Sequence, residues 1–449
     1  MSGVTAPASV LDDLEARGLV HDSTDRTALA SLLAGGPVSI YYGCDPTSDS
    51  LHVGNLIGLL VLRRLQDAGH RPVALAGGAT GMVGDPSGRS EERNLLDDAT
   101  LTANVAAIKA QMARVLDFDA GRALLVDNRD WTADVTLVDF LRDVGKHVTV
   151  NQMLARESVK ARLGSEHGIS YTEFSYMLLQ AHDYLHLHRT LGVAMQIGGS
   201  DQWGNIVAGI DLIRRVTGDA AHGLSWPLVT APDGSKLGKS TGARIGLNPA
   251  HTSPYQFFQH FMQTDDRQVR EYLAKFTLLE MVEVDALVAE HAEAPERRLG
   301  QRALARELTR LVHGEAAAVA AEEASEVLFG GSPTEAGPGA LAAVAREVPS
   351  SSLPADGALE QGVDLVPLLV DAGLASSKGD ARRSLGQGAV SVNGERVDEG
   401  RQVGFGDLLH QRYVVLRKGK RSYAVLVRGP LQEKSQKADP QVDAPPAGR

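Results

Sequence analysis

Two short stretches of the chain carry residues suited to phosphate chemistry. His52-Val-Gly-Asn55 falls at the expected start of a helix that follows a strand. Unpaired backbone N–H groups and the helix dipole favour an anion there. Gly54 lets a ligand approach the backbone, and an imidazole can donate to an anionic oxygen. Lys236-Leu-Gly-Lys-Ser240, preceded by the turn Pro232-Asp-Gly-Ser235, sets two lysines three apart in a glycine-containing loop, which suits a mobile clamp on polyphosphate. Either tetrapeptide alone is common; in this order around a βαβ unit they are specific. The run Gly77 to Gly88 is neither a Walker loop, since Val83 and Arg89 stand where Gly and Lys are required, nor a G-x-G-x-x-G fingerprint. It reads as a loop where backbone approaches a ligand, with Asp85 as its carboxylate. His182, His186 and His188 have one pair at helical spacing but no third ligand or general base, so they read as surface or packed histidines and no metal site is expected.

The elements that must position these residues follow from periodicity. Val38 to Tyr42 has strand character, Leu51 to Ala68 places Val53, Leu56, Ile57, Leu60 and Val61 at helical spacing, and Pro72 to Ala76 is a second strand. Strand, helix, strand predicts a parallel sheet with ligands at the carboxyl ends of its strands, in the loops 43–52 and 77–90. A short helix is expected over Val10 to Arg17. Leu101 to Ile210 reads as largely helical, interrupted by the aromatic-rich Tyr171 to Tyr184 and the Gly-rich loop Gln196 to Asn205; Pro249 to Leu328 is helical again. The expected division is a Rossmann-like α/β domain over 1–247, an all-helical domain over 248–330, a Gly/Pro/Ser-rich linker over 331–362, a small α+β domain over 363–430 and a disordered polar tail over 431–449.

The 449 residues include one cysteine, Cys44, so a disulfide-stapled secreted protein is excluded. Met1 to Val20, with Asp12, Asp13 and Glu15, does not read as a signal peptide, and no apolar run suits a membrane span. A reducing cytoplasm fits. The net charge of −11 argues against a nucleic-acid binder, but it hides an asymmetry: Val363 to Pro430 holds 11 basic and 7 acidic residues, or +4. Within it, a helix over Leu374 to Leu385 and a strand with an Asn-Gly turn over Gly388 to Glu395 are expected.

The two phosphate motifs resemble the signatures of class I aminoacyl-tRNA synthetases. With Tyr41 to Thr47, Gly77 to Gly88, Phe174 to Gln180 with Asp183, and Gln196 to Asn205, the chain up to its tail resembles the bacterial tyrosyl-tRNA synthetases. Two departures stand out: Asn55 replaces the commoner final His, and the second motif reads KLGKS. Each keeps a hydrogen-bonding side chain. The basic module resembles a small RNA-binding domain shared with a ribosomal protein.

The resemblance implies a ligase that joins tyrosine to tRNA(Tyr) through tyrosyl-adenylate, with ATP as its magnesium complex and no permanently bound metal, acting as a cytoplasmic homodimer. By the same resemblance, Thr47, His52, Lys236 and Lys239 stabilise the phosphates. Gly54, Asn55, Gly199, Asp201, Lys239 and Ser240 bind ATP. Tyr41 and Asp183 meet the phenol, with Gly43 beside them; Asp85, Tyr176 and Gln180 hold the ammonium, and Gln202 the carboxyl end. Lys378, Arg382, Arg383, Lys418 and Lys420 meet RNA phosphates. The rivals are a tryptophan enzyme of the same family and a non-catalytic RNA-binding protein derived from a synthetase. Tyr41 with Asp183 favours the phenol over an indole, and retention of His52, Lys236 and Lys239 favours catalysis.

Overall fold

In the computed structural model the described residues are 9–87, 96–164, 168–229 and 245–430. Lys236, Lys239, Ser240 and the tail 431–449 lie outside them. The chain divides into two compact units, one formed by residues 1–248 and 264–304, the other by 249–263 and 305–449.

The first unit is built on five parallel strands, β1 (Ser39–Cys44), β2 (Arg71–Ala76), β3 (Leu124–Asp127), β4 (Val193–Gly199) and β5 (His222–Trp226), in the order β3-β2-β1-β4-β5. The winding direction reverses between β1 and β4, the place where an open parallel sheet leaves a crevice at its carboxyl edge. β3 falls in the segment read as largely helical and β4 runs into the Gly-rich loop from Gln196, while β5 lies in a stretch for which no element is expected. Parallel strands buried on both faces lack the period of two that betrays a half-exposed strand.

The Val53–Asp67 helix leads from β1 to β2. His52 is its N-cap: Nδ1 accepts from Gly54 N–H at 2.9 Å, while Asn55 Oδ1 accepts from His52 N–H at 3.1 Å. Leu56, Leu59, Leu60, Val61, Leu62 and Leu65 are buried around its whole circumference, so it runs through the core. Arg64 and Arg17, also buried, share Asp13; Arg17 reaches the Ala274 and Leu279 carbonyls, and Arg64 that of Thr277. These contacts join the 264–304 segment to the body of its unit. Burial and the neighbouring Arg17 push Arg64 down to about 10.

The second unit carries a five-stranded sheet ordered β6-β12-β11-β8-β9, with β6 Ser350–Ser352, β8 Val390–Val392, β9 Glu395–Arg396, β11 Tyr413–Lys418 and β12 Ser422–Val427. A separate pair joins β7 (Val363–Asp364) to β10 (Gln402–Val403). Asn393 and Gly394, with φ of 50° and 92°, make the expected tight turn between β8 and β9. The expected helix is formed over Lys378–Gly386.

The 331–362 stretch, expected as a linker, is folded instead. It contains the Pro338–Glu347 helix, β6 and the Asp356–Gln361 helix. Its glycines and prolines cap and bound short elements: Pro338 opens one helix, and Gly362, at φ 80°, closes the other. One core cluster joins Ala324 and Val327, Leu341 and Val344, and the sheet residues Tyr413, Val415, Tyr423 and Val425. The basic module is therefore packed onto helices of its own unit rather than tethered beyond them. Deleting everything from Ser350 onward should uncover Leu341 and Val344, each worth about 1.5–3 kcal/mol of burial. We expect a lower melting transition and dye-detected apolar exposure in the remaining protein; an unchanged transition with no exposure would show that the cluster is not a shared core.

Candidate active site

The crevice at the carboxyl edge of β1 and β4 gathers the sequence-predicted residues of the first unit from four segments. Tyr41 and Gly43 lie on β1, with Thr47 and His52 following it; Asp85 follows β2; Tyr176, Gln180 and Asp183 lie on the Tyr171–Leu191 helix; Gly199, Asp201 and Gln202 end β4.

At the inner end, Tyr41 and Asp183 are buried. Gln196 Nε2 donates to the Tyr41 hydroxyl at 3.0 Å, so that oxygen, already an acceptor, retains its own proton as a donor. Asp183 accepts from Asn128 Nδ2 and Trp131 Nε1, both at 2.9 Å, one on each oxygen. The two side chains thus supply one hydroxyl donor and one fixed carboxylate, the pair that a ligand hydroxyl needs. Burial pushes the Asp183 carboxyl up to about 7, with Asp45 and Asp127 adding repulsion against the lowering effect of its two donors.

Asn128 and Trp131 carry no signal in the sequence, and Asp45, Gln196 and Asn205 lie within the motifs of the resemblance without an assigned role. Asn128 Oδ1 accepts from Ala79 N–H at 2.7 Å, and its Nδ2 also donates to Thr80 Oγ1 at 3.0 Å. Thr80 donates in turn to Asp45 at 2.6 Å, and Tyr176 donates to the other Asp45 oxygen at 2.8 Å. Tyr176 therefore reaches the site already committed as a donor, leaving its oxygen as an acceptor. Asp85 accepts from Gln202 Nε2 at 2.5 Å and from Ser87 N–H at 2.9 Å. Asn205 bridges the carbonyls of Gln180 and Gln202, each at 3.1 Å. Four carboxylates, Asp45, Asp85, Asp127 and Asp183, thus line this end; Asp127 pairs with Lys109 at 3.3 Å. Such a surplus of acceptors favours a cationic group on the ligand.

The glycines permit this crowding. A Cβ on Gly77 would lie 2.3 Å from Asp45 Oδ1, and one on Gly78 would lie 2.3 Å from Asp127 Oδ1. A Cβ on Gly54 would meet the His52 ring at 2.7 Å, so the glycine also makes room for the cap. Because Nδ1 of His52 accepts from Gly54 N–H, the proton of the neutral ring sits on Nε2. Thr47, whose N–H bonds to the Asp45 carbonyl at 2.9 Å, lies on the same loop. Hydrogen-bond donors thus stand at the loop and helix start after β1, and the carboxylate and hydroxyl acceptors lie deeper.

In the second unit, Lys378, Arg382 and Arg383 are exposed on the Lys378–Gly386 helix, and Lys418 Nζ bonds Asp380 of that helix at 3.0 Å. This bond brings the β11–β12 hairpin, with exposed Lys420 at its tip, beside the helix. Arg382 is paired loosely with Glu399 at 3.8 Å. No group of His, Cys, Asp and Glu suited to a metal is found among the described residues, and none of their helices is long and apolar enough to cross a membrane.

Residues 33–330 match the model of the class I tRNA synthetases for tryptophan and tyrosine, and residues 341–426 match the tyrosine–tRNA ligase C-terminal domain. The chain is 53% identical over 421 residues to a tyrosine–tRNA ligase of Opitutus terrae, covering 93% of this chain and 99% of that one. A tyrosine–tRNA ligase of Roseiflexus castenholzii is 49% identical with the same coverage. Among solved structures, a C-terminally truncated mitochondrial tyrosyl-tRNA synthetase of Aspergillus nidulans superposes with a TM-score of 0.66 at 32% identity, covering 72% of this chain and 94% of that one.

The Asp183 carboxyl carries a signature in solution. Its folded value of about 7 exceeds the ordinary 3.8, so the folded state binds more protons between those values and this group's contribution to stability falls as pH rises from 4 to 7. Fully developed, that cost is about 4 kcal/mol. Asp183→Asn, which cannot ionise, should remove this fall. Urea unfolding of both proteins across pH 4 to 8 checks it; a difference between them that does not change with pH would refute the raised value.

Proposed function

This chain belongs to the class I tRNA synthetases for tryptophan and tyrosine, and from that premise we infer how its own residues carry out the work of a tyrosine–tRNA ligase. Tyrosine and ATP, the latter as its magnesium complex, give tyrosyl-adenylate and pyrophosphate; the tyrosyl group then passes to the 3′ end of tRNA(Tyr). In the first step a tyrosine carboxylate oxygen bonds to the α-phosphorus as the bond to the pyrophosphate oxygen breaks, so the protein aligns reactants and stabilises charge moving onto the leaving group.

The observation that carries the substrate assignment is the Tyr41 donor beside the anchored Asp183 acceptor. A tyrosine phenol accepts from the first and donates to the second. Phenylalanine leaves both unmatched, and an indole offers no oxygen to Tyr41; unpaired buried groups make such rejection sharp. The handling of the amino acid's ammonium falls to Asp85, Tyr176 and Gln180, and its carboxyl end to Gln202, whose amide is steadied by Asn205. His52 Nε2–H and Thr47 face the growing phosphate charge, joined by Lys236 and Lys239 from outside the described residues. Gly54, Asn55, Gly199, Asp201 and Ser240 hold the nucleotide, and Lys378, Arg382, Arg383, Lys418 and Lys420 bind tRNA phosphates. The setting for this chemistry is the cytoplasm.

The protein works as a homodimer in this reading. Support comes from large apolar side chains left in solvent over 137–154: Leu137 and Val138 are 70% exposed, Val150 59% and Leu141 46%. Leu137→Asp combined with Leu141→Asp should halve the solution mass toward the 47.7 kDa of one chain. A mass unchanged by light scattering would place any dimer contact elsewhere.

Amino-acid-dependent ATP–pyrophosphate exchange tests the central reading. Tyrosine alone should support exchange at low concentration, and Asp183→Ala should narrow the tyrosine-over-phenylalanine ratio by at least tenfold. Retention of full discrimination by a folded Asp183→Ala protein would remove the phenol-binding role.

A further inference from the structure

The basic helix and hairpin tip of the second unit have a counterpart at the opposite end of the same hairpin. There, where β11 begins and β12 ends, a shallow, open groove of about 790 Å³ is lined by Leu353, Asp356, His410, Gln411, Arg412 and Arg428. A six-residue strand separates the two ends, roughly 20 Å at 3.3 Å per residue.

The groove's charges are unevenly matched. Its carboxylate, Asp356, is taken by Arg428 in two bonds of 2.8 and 2.7 Å. The Arg428 guanidinium also lies 5.1 Å over the partly exposed ring of Phe405. Arg412 donates from Nη2 to the Pro430 carbonyl at 3.2 Å, but its buried Nε has no hydrogen-bond partner among the described residues. Among the described residues of the groove the only carboxylate is Asp356, so the Arg412 charge has no carboxylate partner there. His410 Nε2 sits 2.8 Å from the Ala336 carbonyl and must donate to it, which leaves Nδ1 as an acceptor in the neutral ring.

The backbone of the groove's rim is strained. His410 and Gln411 both adopt left-handed φ, 49° and 58°, in a turn closed by Arg412 N–H to the Leu409 carbonyl at 3.0 Å. The turn between β8 and β9 meets a similar demand with Asn393-Gly394, the residues that adopt it at least cost. Two long polar side chains are held in that conformation here, and such strain persists where the side chains themselves are needed.

We propose that this groove is a second RNA-binding surface of the C-terminal module, taking the phosphodiester backbone of the same tRNA at Arg412. The His410 acceptor suits a ribose 2′-hydroxyl, and Phe405, with Arg428 beside it, offers a stacking face for an unpaired base. An acidic peptide would use the cation but neither the acceptor nor the exposed ring. The proposal rests on the reading that the chain charges a tRNA, and adds a contact at the far end of the hairpin from Lys420.

The test uses full-length protein and a bacterial tRNA(Tyr) transcript, with dissociation constants measured at several salt concentrations. Arg412→Gln should weaken binding about fivefold and reduce the slope of log affinity against log salt by about 1. Tyrosine-dependent pyrophosphate exchange should be unchanged. Gln411→Glu, on the exposed rim, should weaken binding similarly and alone decides the matter if Arg412→Gln lowers the melting temperature. Arg382→Gln with Arg383→Gln is the reference. Weakened binding by this reference, with wild-type affinity in the deciding groove variant, overturns the groove and leaves the module's role intact. Wild-type affinity in all variants overturns both.

Discussion

The active-site end of the first unit depends on one side chain with no room to move. Asn128 is fully buried, and its amide holds three groups at once: the backbone after β2 through Ala79, the Thr80 hydroxyl and the Asp183 carboxylate. An amide can do this because it offers an acceptor and two donors in one plane. Through Thr80 the constraint passes to Asp45 and on to Tyr176, so loops after β1, β2 and β3 are registered against the Tyr171–Leu191 helix by a single chain of hydrogen bonds. In a low dielectric a network of this kind is stable only if complete. The raised Asp183 value shows the same thing from the other side: two good donors lower the cost of this buried carboxylate without cancelling it.

The site also separates opposite electrostatic tasks. Acceptors are concentrated deep in the crevice and donors at its mouth, where a helix begins. Tyrosine is zwitterionic and carries its hydroxyl at the far end, whereas triphosphate is anionic throughout, so this gradient matches the order of the two substrates in the proposed reading. Glycines at 77 and 78 allow the acidic side to be packed against backbone.

What could be read from the sequence was local. His52 with Asn55, the Val53–Asp67 helix, β1, β2 and the Asn393-Gly394 turn announce themselves within a few residues, because capping, helical period and turn chemistry are short-range. Tyr41, Asp85, Tyr176, Gln180, Asp183 and Gln202 were named through family resemblance, and the crevice does collect their segments. Asn128 and Trp131 are invisible, and Gln196 is marked only by its place in a motif, because their importance lies in partners about 50 to 155 positions away in the chain. The strands β3 to β5 lack an alternating pattern, for they are interior to the sheet or follow helices with equally apolar composition. The 331–362 stretch misled because glycine and proline mark boundaries between short elements as readily as they mark disorder.

The path of the chain between its units has a consequence for how such a protein can be assembled and altered. Residues 249–263 belong with 305–449, while 264–304 return to the first unit. The polypeptide therefore passes between the units three times, and the Pro254–Met262 helix is a loan from one to the other. Neither unit is a contiguous cassette. A recombination event or an engineered fusion with a single junction cannot transplant either one whole. The interleaved stretch, residues 249–304, lies inside the span 33–330 that the family model matches.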